Sequence, residues 1–382
     1  MLKRLLIIFI ITVLIFPISI RAEELLPNAK SGLLIEASTG EIIYEKNKDE
    51  KVPVASMTKM VAQIIILENI EKGILTWNEK IKVSSNAAGM GGSQIWLQPG
   101  EEMTVRDLMK GITMASANDA TVALAERIAG TEEAFVRQMN EKVKELGLKS
   151  THFVNPTGLD EENHYSSAYD MGLIAKELLK HEQILEFSKV YEDYIRQDTP
   201  NKYWVVNTNK LVRFYEGADG LKTGFTDNAG YCMAVTAKRD GMRLIAIVLG
   251  ETSGKVRNQE TSELLDYGFN LYKADIVKTK KDIITEIKIN KGTKDKVTIS
   301  PNEDIIVLKK KSELSKKYDL ETNLNDIKLP IKKGDVLGKL LVKDGNNILR
   351  KVDLIANNNV NKLGYFKMIF ETLKDILTGS MI

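Results

Sequence analysis

The sequence predicts a mixed α/β domain, in which helices pack on an antiparallel sheet, followed by a small all-β domain and a terminal amphipathic helix. Three observations predict this order. Strand patterns flank a mostly helical middle region, short alternating segments follow residue 273, and the last twenty or so residues have helical periodicity. Because the chain has 382 residues, 43% of them apolar, it can bury more than one core, and we expect at least two domains.

The N-terminus has the pattern of an export signal. Lys3 and Arg4 precede a nearly unbroken apolar run over residues 5–16, and a small-residue end follows at Ala22. The run is shorter than the roughly 20 residues that a membrane-spanning helix needs. We therefore predict that residues 1–22 are a cleaved signal peptide, with a short membrane anchor as the alternative.

Residues 23–273 are predicted to form the first domain. Alternation around a Thr39-Gly40 turn predicts a hairpin, and apolar positions at helical spacing predict a helix from Ser56 to Ile70. Further helices are predicted at 105–114, 117–128, 131–146, 167–181 and 256–272, and strands at 220–223, 231–238 and 243–250.

The composition changes after Lys273. Alternating, lysine-rich segments are separated by polar turns, and they lie at 284–289, 296–299, 304–308, 337–342 and 352–355. This pattern predicts a small β-rich domain over residues 274–357. We interpret its lysines as a solvated strand face, although they could also suit an anionic wall or membrane surface.

Residues 358–382 are predicted to be an amphipathic helix. One side carries Leu363, Phe366, Ile369, Phe370, Leu373, Ile376 and Leu377, and the other carries Lys367, Glu371, Lys374 and Asp375. The charges argue against crossing a bilayer, whereas an apolar stripe opposite charges is typical of a helix that lies in the membrane interface. The alternative is a helix packed on its own domain.

Charge and metal-ligand patterns exclude several functions. The 54 basic and 52 acidic residues leave a net charge of +2, which does not favour a nucleic-acid partner. A single cysteine, Cys232, permits neither an internal disulfide nor a thiolate metal cluster, and we predict that it is a buried strand residue. His152, His164 and His181 lack metal-ligand spacing. We expect neither a metal nor another cofactor.

Three short motifs occur in one order along the chain. They are Ser56-Met57-Thr58-Lys59, Ser116-Ala117-Asn118 and Lys222-Thr223-Gly224. Each motif alone is common, but each has a distinct predicted setting: the first opens a helix, the second precedes one, and the third lies on a strand. Residues three apart share a helical face, so the Lys59 amine can reach the Ser56 hydroxyl.

This pair suits nucleophilic catalysis. A serine hydroxyl needs an adjacent base, and a lysine can serve only if burial or a second cation, such as Lys222, lowers its pKa. At a helix N-terminus the Ser56 backbone N–H can stabilise an oxyanion, and we predict that the Phe225 amide supplies the second N–H. Gly224 leaves room for a peptide backbone to approach the strand.

With these motifs the sequence resembles the penicillin-recognising serine enzymes, and within them the low-molecular-mass penicillin-binding proteins of D-Ala-D-Ala carboxypeptidase type. The segments 53–59, 155–159, 219–226 and 229–231 also resemble that subfamily. The resemblance covers about 29–272 and, more loosely, the β-rich tail and the terminal amphipathic helix. It implies a β-lactamase/transpeptidase-like α/β domain, a small β-sandwich domain and an interfacial helix.

The resemblance also implies roles in hydrolysis of peptidoglycan stem peptides. Ser56 would attack the carbonyl between two D-alanines, Lys59 would accept its proton, and Ser116 would relay a proton toward the leaving D-alanine. Water would then hydrolyse the acyl-enzyme, and β-lactams would acylate the same serine as inhibitors.

Substrate contacts follow from the same resemblance. Asn118 would hold the substrate amide and the Lys59 side chain, and Lys222 with Thr223 would bind the terminal carboxylate, beside Gly224 and Phe225. The implied location is the outer face of the cytoplasmic membrane, with the C-terminal helix as a peripheral anchor.

Other interpretations compete with this one. His164 could form a Ser–His arrangement, but we interpret it as a structural histidine because Lys59 already serves as the base. No glutamate stands four residues before an asparagine between Asn118 and Lys222, which disfavours a class A β-lactamase. A D,D-endopeptidase and a catalytically idle wall-binding scaffold remain alternatives. Ala117 departs from the polar residue that many superfamily members have.

Overall fold

The computed structural model describes residues 24–290, 292–313, 317–364 and 369. The predicted signal peptide and nearly all of the predicted C-terminal helix lie outside the described residues. Within the described ranges, no helix is both long and apolar enough to cross a membrane.

The chain forms strands and helices in the following order. The strands are β1 (Ser31–Glu36), β2 (Ile42–Lys46), β3 (Lys80–Lys82), β4 (Glu102–Thr104), β5 (Glu192–Ile195), β6 (Tyr203–Val206), β7 (Ala218–Thr226), β8 (Gly230–Arg239), β9 (Met242–Glu251), β10 (Tyr272–Lys278), β11 (Thr285–Lys288), β12 (Lys296–Pro301), β13 (Ile305–Lys310), β14 (Asp319–Leu324), β15 (Val336–Asp344) and β16 (Asn347–Ala356). The helices are α1 (Lys59–Glu71), α2 (Ser85–Ala88), α3 (Val105–Lys110), α4 (Asn118–Ala129), α5 (Glu132–Glu145), α6 (Ala168–Leu178), α7 (Ile184–Ser188), α8 (Leu211–Phe214) and α9 (Gly254–Leu271).

A five-stranded antiparallel sheet forms the centre of the first domain. Its strand order is β2-β1-β9-β8-β7, so β7 is an edge strand. The helix α6 packs on one face and α9 on the other, and both contact β9. Because both faces are covered, β8 and β9 are apolar along most of their length, and Cys232 is buried in β8 as predicted.

The helix α1 lies in the middle of the helical cluster, where it contacts α4, α5 and α6. Its residues from 59 to 67 are all buried, which is the pattern of a helix that is surrounded by other elements. Lys59 and Gln63 are buried among these apolar side chains. The sequence prediction of a mixed α/β domain is therefore confirmed.

The small domain is all-β, as predicted. A five-stranded antiparallel sheet of order β11-β12-β16-β15-β14 and the pair β10-β13 share one apolar core. At its end, Val360 pairs with Ile331 and Lys362 pairs with Gly292. The described residues 358–364 thus extend the small domain beyond the predicted boundary at residue 357, and they are not helical.

Candidate active site

Ser56 lies in a tight turn just before α1. A 3-10 helix spans Ala55–Thr58, so the α-helix predicted from Ser56 begins three residues later. Ala55 has a φ of 47°, and Gly158 packs so closely that a Cβ there would lie 1.9 Å from the Ala55 carbonyl oxygen. The neighbours of Ser56 on both sides are buried, whereas Ser56 itself is partly exposed. The turn therefore presents the Ser56 hydroxyl at the surface of a packed core.

Lys59, the buried first residue of α1, contacts this hydroxyl. Its Nζ lies 2.8 Å from Ser56 Oγ and 2.7 Å from the carbonyl oxygen of Thr157. Burial lowers the Lys59 pKa well below its usual range, and the positive charge of Lys222 lowers it further, against a smaller opposing effect of Asp119. A neutral amine can donate to the Thr157 oxygen while its lone pair faces the serine hydroxyl.

Ser116 is positioned by an irregular stretch of backbone. After α3 the chain forms one π-helical turn, Gly111–Ala115, where we predicted regular helix to 114. Ser116 then adopts a left-handed conformation with φ 62°, and α4 begins at Asn118. This kink aims Ser116 Oγ at Lys222, whose Nζ donates to it at 2.8 Å.

Lys222 is buried on the edge strand β7. Burial lowers its pKa to about 7, and the nearby Arg257 guanidinium contributes to the same shift. Its Nζ also donates to the carbonyl oxygen of Thr223 at 2.9 Å. Ser56–Lys59 and Ser116–Lys222 thus form two serine–lysine pairs, and the two lysines lie close enough for the charge of Lys222 to lower the Lys59 pKa.

Asn118 does not make the expected contact with Lys59. Its Nδ2 donates to the Gly91 carbonyl at 2.7 Å, its backbone N–H donates to Ser93 O, and its Oδ1 has no hydrogen-bond partner among the described residues. The Lys59 amine instead bonds to Thr157, which the sequence analysis missed. The available signal was that the 155–159 segment resembles the same subfamily as the three motifs.

The edge strand β7 lies against the turn that carries Ser56. A Cβ on Gly224 would lie 2.8 Å from the Val54 oxygen and 3.2 Å from the Ser56 nitrogen, so the strand and the serine turn are in backbone contact. Thr223 Oγ1 donates to Thr208 Oγ1 at 2.8 Å. Phe225 is half exposed, and its ring lies against Tyr231, with centroids 4.3 Å apart.

Asp119 is a second residue that the sequence analysis missed. Its buried carboxylate accepts the backbone N–H groups of Ile95 and Leu97 at about 3 Å, and so it shapes the loop beside Asn118. An acidic residue in the first turn of a predicted helix was the available signal, but such residues usually only complement the helix dipole.

His164 is hydrogen-bonded to the turn that carries Ser56. Its Nδ1 accepts the Val154 N–H at 3.3 Å, which leaves the proton on Nε2 to be donated to Thr58 Oγ1 at 2.8 Å. Burial lowers the pKa of His164 to about 4, so the ring is neutral near pH 7. It joins the 152–165 loop to the turn that carries Ser56 and does not contact the serine hydroxyl.

This geometry suits acyl transfer. It combines a partly exposed hydroxyl, a buried amine with a strongly lowered pKa at 2.8 Å, and a second hydroxyl bonded to a second buried lysine. The edge strand β7 lies beside them and can pair with an extended peptide. The space over Gly224, which we expected a peptide backbone to use, is filled by the serine turn.

Comparisons with known proteins agree with this assignment. Residues 20–253 match the D-alanyl-D-alanine carboxypeptidase family, and residues 272–362 match the C-terminal domain of penicillin-binding protein 5. The D-alanyl-D-alanine carboxypeptidase DacF of Bacillus subtilis is 45% identical over 356 residues, which are 93% of this chain and 92% of that protein.

Solved structures give the same result. Penicillin-binding protein 5 from Haemophilus influenzae superposes with a TM-score of 0.69 and 29% identity, over 88% of this chain and 98% of that one. Penicillin-binding protein D2 from Listeria monocytogenes, solved in its ampicillin-bound form, superposes with a TM-score of 0.58 and 32% identity, over 63% of this chain and 97% of that one.

Proposed function

Since this chain belongs to the D-alanyl-D-alanine carboxypeptidase family, we propose that it removes the terminal D-alanine from peptidoglycan stem peptides through an acyl-enzyme on Ser56. The observation that carries the proposal is the Ser56–Lys59 pair, in which a buried amine with a strongly lowered pKa lies 2.8 Å from a partly exposed hydroxyl.

Acylation begins with proton transfer from the Ser56 hydroxyl to Lys59. The serine oxygen attacks the carbonyl carbon between the two D-alanines, and the backbone N–H groups of Ser56 and Phe225 stabilise the resulting oxyanion. Ser116, bonded to Lys222, relays a proton to the nitrogen of the leaving D-alanine. The C–N bond breaks and an ester on Ser56 remains.

Substrate binding uses the edge of the central sheet. The stem peptide lies extended along β7, and its terminal carboxylate binds Lys222 and Thr223. The unpartnered Oδ1 of Asn118 accepts an amide N–H of the substrate.

Water then hydrolyses the ester and restores the Ser56 hydroxyl. A β-lactam presents a strained amide to the same serine and forms the corresponding penicilloyl ester. The ampicillin-bound form of the Listeria monocytogenes relative supports β-lactam recognition by this fold.

Mass spectrometry of the full chain tests this function. Wild type should gain one penicilloyl group on the peptide that contains Ser56, and it should release D-alanine from a pentapeptide ending in D-Ala-D-Ala. Ser56→Ala should do neither. The control is Ser262→Ala on α9, which removes only a bond to the Asn258 carbonyl. Absence of both reactions in folded wild type would contradict the proposal and support the scaffold alternative.

We further propose that the protein acts outside the cytoplasmic membrane. The pattern of residues 1–22 supports export, and the apolar stripe of the last residues supports peripheral attachment by an interfacial helix. The full chain should therefore sediment with liposomes that contain anionic lipid, and Phe366→Asp/Phe370→Asp should weaken this binding. Equal sedimentation of both proteins would refute attachment through this helix.

A further inference from the structure

A groove of about 690 Å³ lies between the 95–101 loop and the β5–β6 hairpin. Its lining includes Trp96, Gln98, Glu101, Arg196, Asn201 and Tyr203. None of these residues has a role in the acyl-transfer chemistry above.

Two buried charged side chains hold the wall that carries Trp96. The Arg196 guanidinium, only 8% exposed, donates to the Ile95 carbonyl at 3.0 Å and pairs with both carboxylate oxygens of Glu101. On the other side, Asp119 accepts the N–H groups of residues 95 and 97. The loop is therefore fixed from beneath, and the groove is a built feature of the fold.

Trp96 is held in an unusual position. Its φ is 59°, which is uncommon for a bulky residue, and its side chain is 62% exposed. The fixed backbone of the loop keeps this indole exposed to solvent. Residues held in sparsely populated backbone conformations cluster at ligand sites.

The loop that carries Trp96 also contacts the proposed substrate site. The Asn118 N–H donates to the Ser93 carbonyl, and the Ile95 N–H donates to Asp119, so the loop that carries Trp96 is held against the start of α4. In peptidoglycan the stem peptide is attached to a sugar about four residues before the scissile bond, a span of at most roughly 14 Å. The sugar of a bound substrate therefore lies within roughly 14 Å of the scissile bond, a range in which a neighbouring groove can contact it.

We propose that this groove binds the glycan part of peptidoglycan, through an N-acetylhexosamine that stacks on Trp96. The inference rests on the proposed function. The apolar C–H face of a sugar ring suits an exposed indole, and its hydroxyl and acetamido groups suit the amides of Gln98 and Asn201 and the hydroxyl of Tyr203. The Arg196 charge is already paired with Glu101, and the ammonium of Lys202, which also lines the groove, lies 4.1 Å from the centre of the Tyr194 ring. The remaining polar groups of the lining are neutral, which favours a neutral ligand.

Paired substrates test the inference in the full chain. The ratio of kcat/KM for a disaccharide-pentapeptide to kcat/KM for the same free pentapeptide should fall about tenfold in Trp96→Ala, mainly through KM. Trp204→Ala is the matched control. Trp204 follows Tyr203 on β6 and is 54% exposed. Successive side chains of a strand point to opposite faces, so Trp204 points away from the groove that Tyr203 lines, and the ratio should not change.

A binding measurement separates the two proposals. In Ser56→Ala, tryptophan fluorescence should respond to the disaccharide-pentapeptide, and the response should be lost on adding Trp96→Ala. If wild type hydrolyses the free pentapeptide while the ratio and the fluorescence are insensitive to Trp96, the glycan site is refuted and the proposed function stands. If wild type hydrolyses neither substrate but the Trp96-dependent response persists, the glycan site stands and the proposed function fails.

Discussion

Adding one methyl group at Gly224 tests whether contact between β7 and the serine turn sets the reaction geometry. In Gly224→Ala the new Cβ would lie 2.8 Å from the Val54 oxygen, 3.0 Å from Ala55 Cβ and 3.2 Å from the Ser56 nitrogen. Two of these neighbours are backbone atoms, which cannot rotate away. The strand and the turn must therefore separate by about 0.6 Å to reach ordinary contact at 3.4 Å.

This displacement predicts the size of the effect. A misplacement of about 1 Å near reacting atoms costs on the order of 10²-fold in rate, so about 0.6 Å predicts a loss of roughly tenfold in the acylation rate constant. Overpacking of this kind also lowers the free energy of unfolding by about 1–3 kcal/mol. A stability loss of this size leaves most of the protein folded, so the expected loss in acylation rate cannot be attributed to unfolding.

Intact-protein mass spectrometry at fixed penicillin concentration measures the acylation rate of the full chain. The matched control is Gly172→Ala on α6, whose Cβ would meet a Leu33 methyl group at 2.6 Å in the core. It should lower stability but leave acylation within twofold of wild type. The reasoning is refuted if Gly224→Ala acylates at the wild-type rate, or if both variants lose rate equally.

Three further predictions concern the buried titratable groups. Lys59→Arg should slow penicillin acylation by about 10²–10⁴-fold, because arginine stays protonated and cannot accept the serine proton; retention of the rate in a variant with normal thermal unfolding would exclude Lys59 as the base. The pKa of Lys222 is about 7 in the folded protein, against 10.5 for an ordinary lysine. Between these two pH values the unfolded chain therefore binds more protons than the folded one, and the free energy of unfolding rises with pH. Lys222→Met should therefore remove up to about 2 kcal/mol of the increase in the free energy of unfolding between pH 7 and 9, measured by urea unfolding. Equal increases in the variant and the wild type would contradict the lowered pKa of Lys222. His164→Gln should lower stability by about 1–3 kcal/mol but leave the pH–rate profile of acylation unchanged between pH 5 and 8, since His164 has a pKa of about 4; loss of a titration step in that range would identify it as a catalytic group.

Local spacing was enough to predict several parts of this protein. The Ser56–Lys59 contact depends on two residues three apart in one helical turn, and the hairpin of β1 and β2 depends on alternation around a tight turn. The longer helices, the strands β8 and β9 and the change to an all-β domain after residue 273 follow from periodicity in the same way. The short strands β3 to β6 were missed because three or four residues carry too little alternation.

The remaining features depended on tertiary packing. The kink that aims Ser116 at Lys222 joins residues 106 apart, and no local pattern predicts a π-helical turn followed by a left-handed serine. The Thr157 oxygen on Lys59 and the lowered pKa of Lys222 likewise require segments that meet only after folding. The sequence by itself therefore determined which residues carry the proposed chemistry and the order of the domains. Their pairing, burial and pKa values were decided by the tertiary structure, because burial and charge act through space between distant parts of the chain.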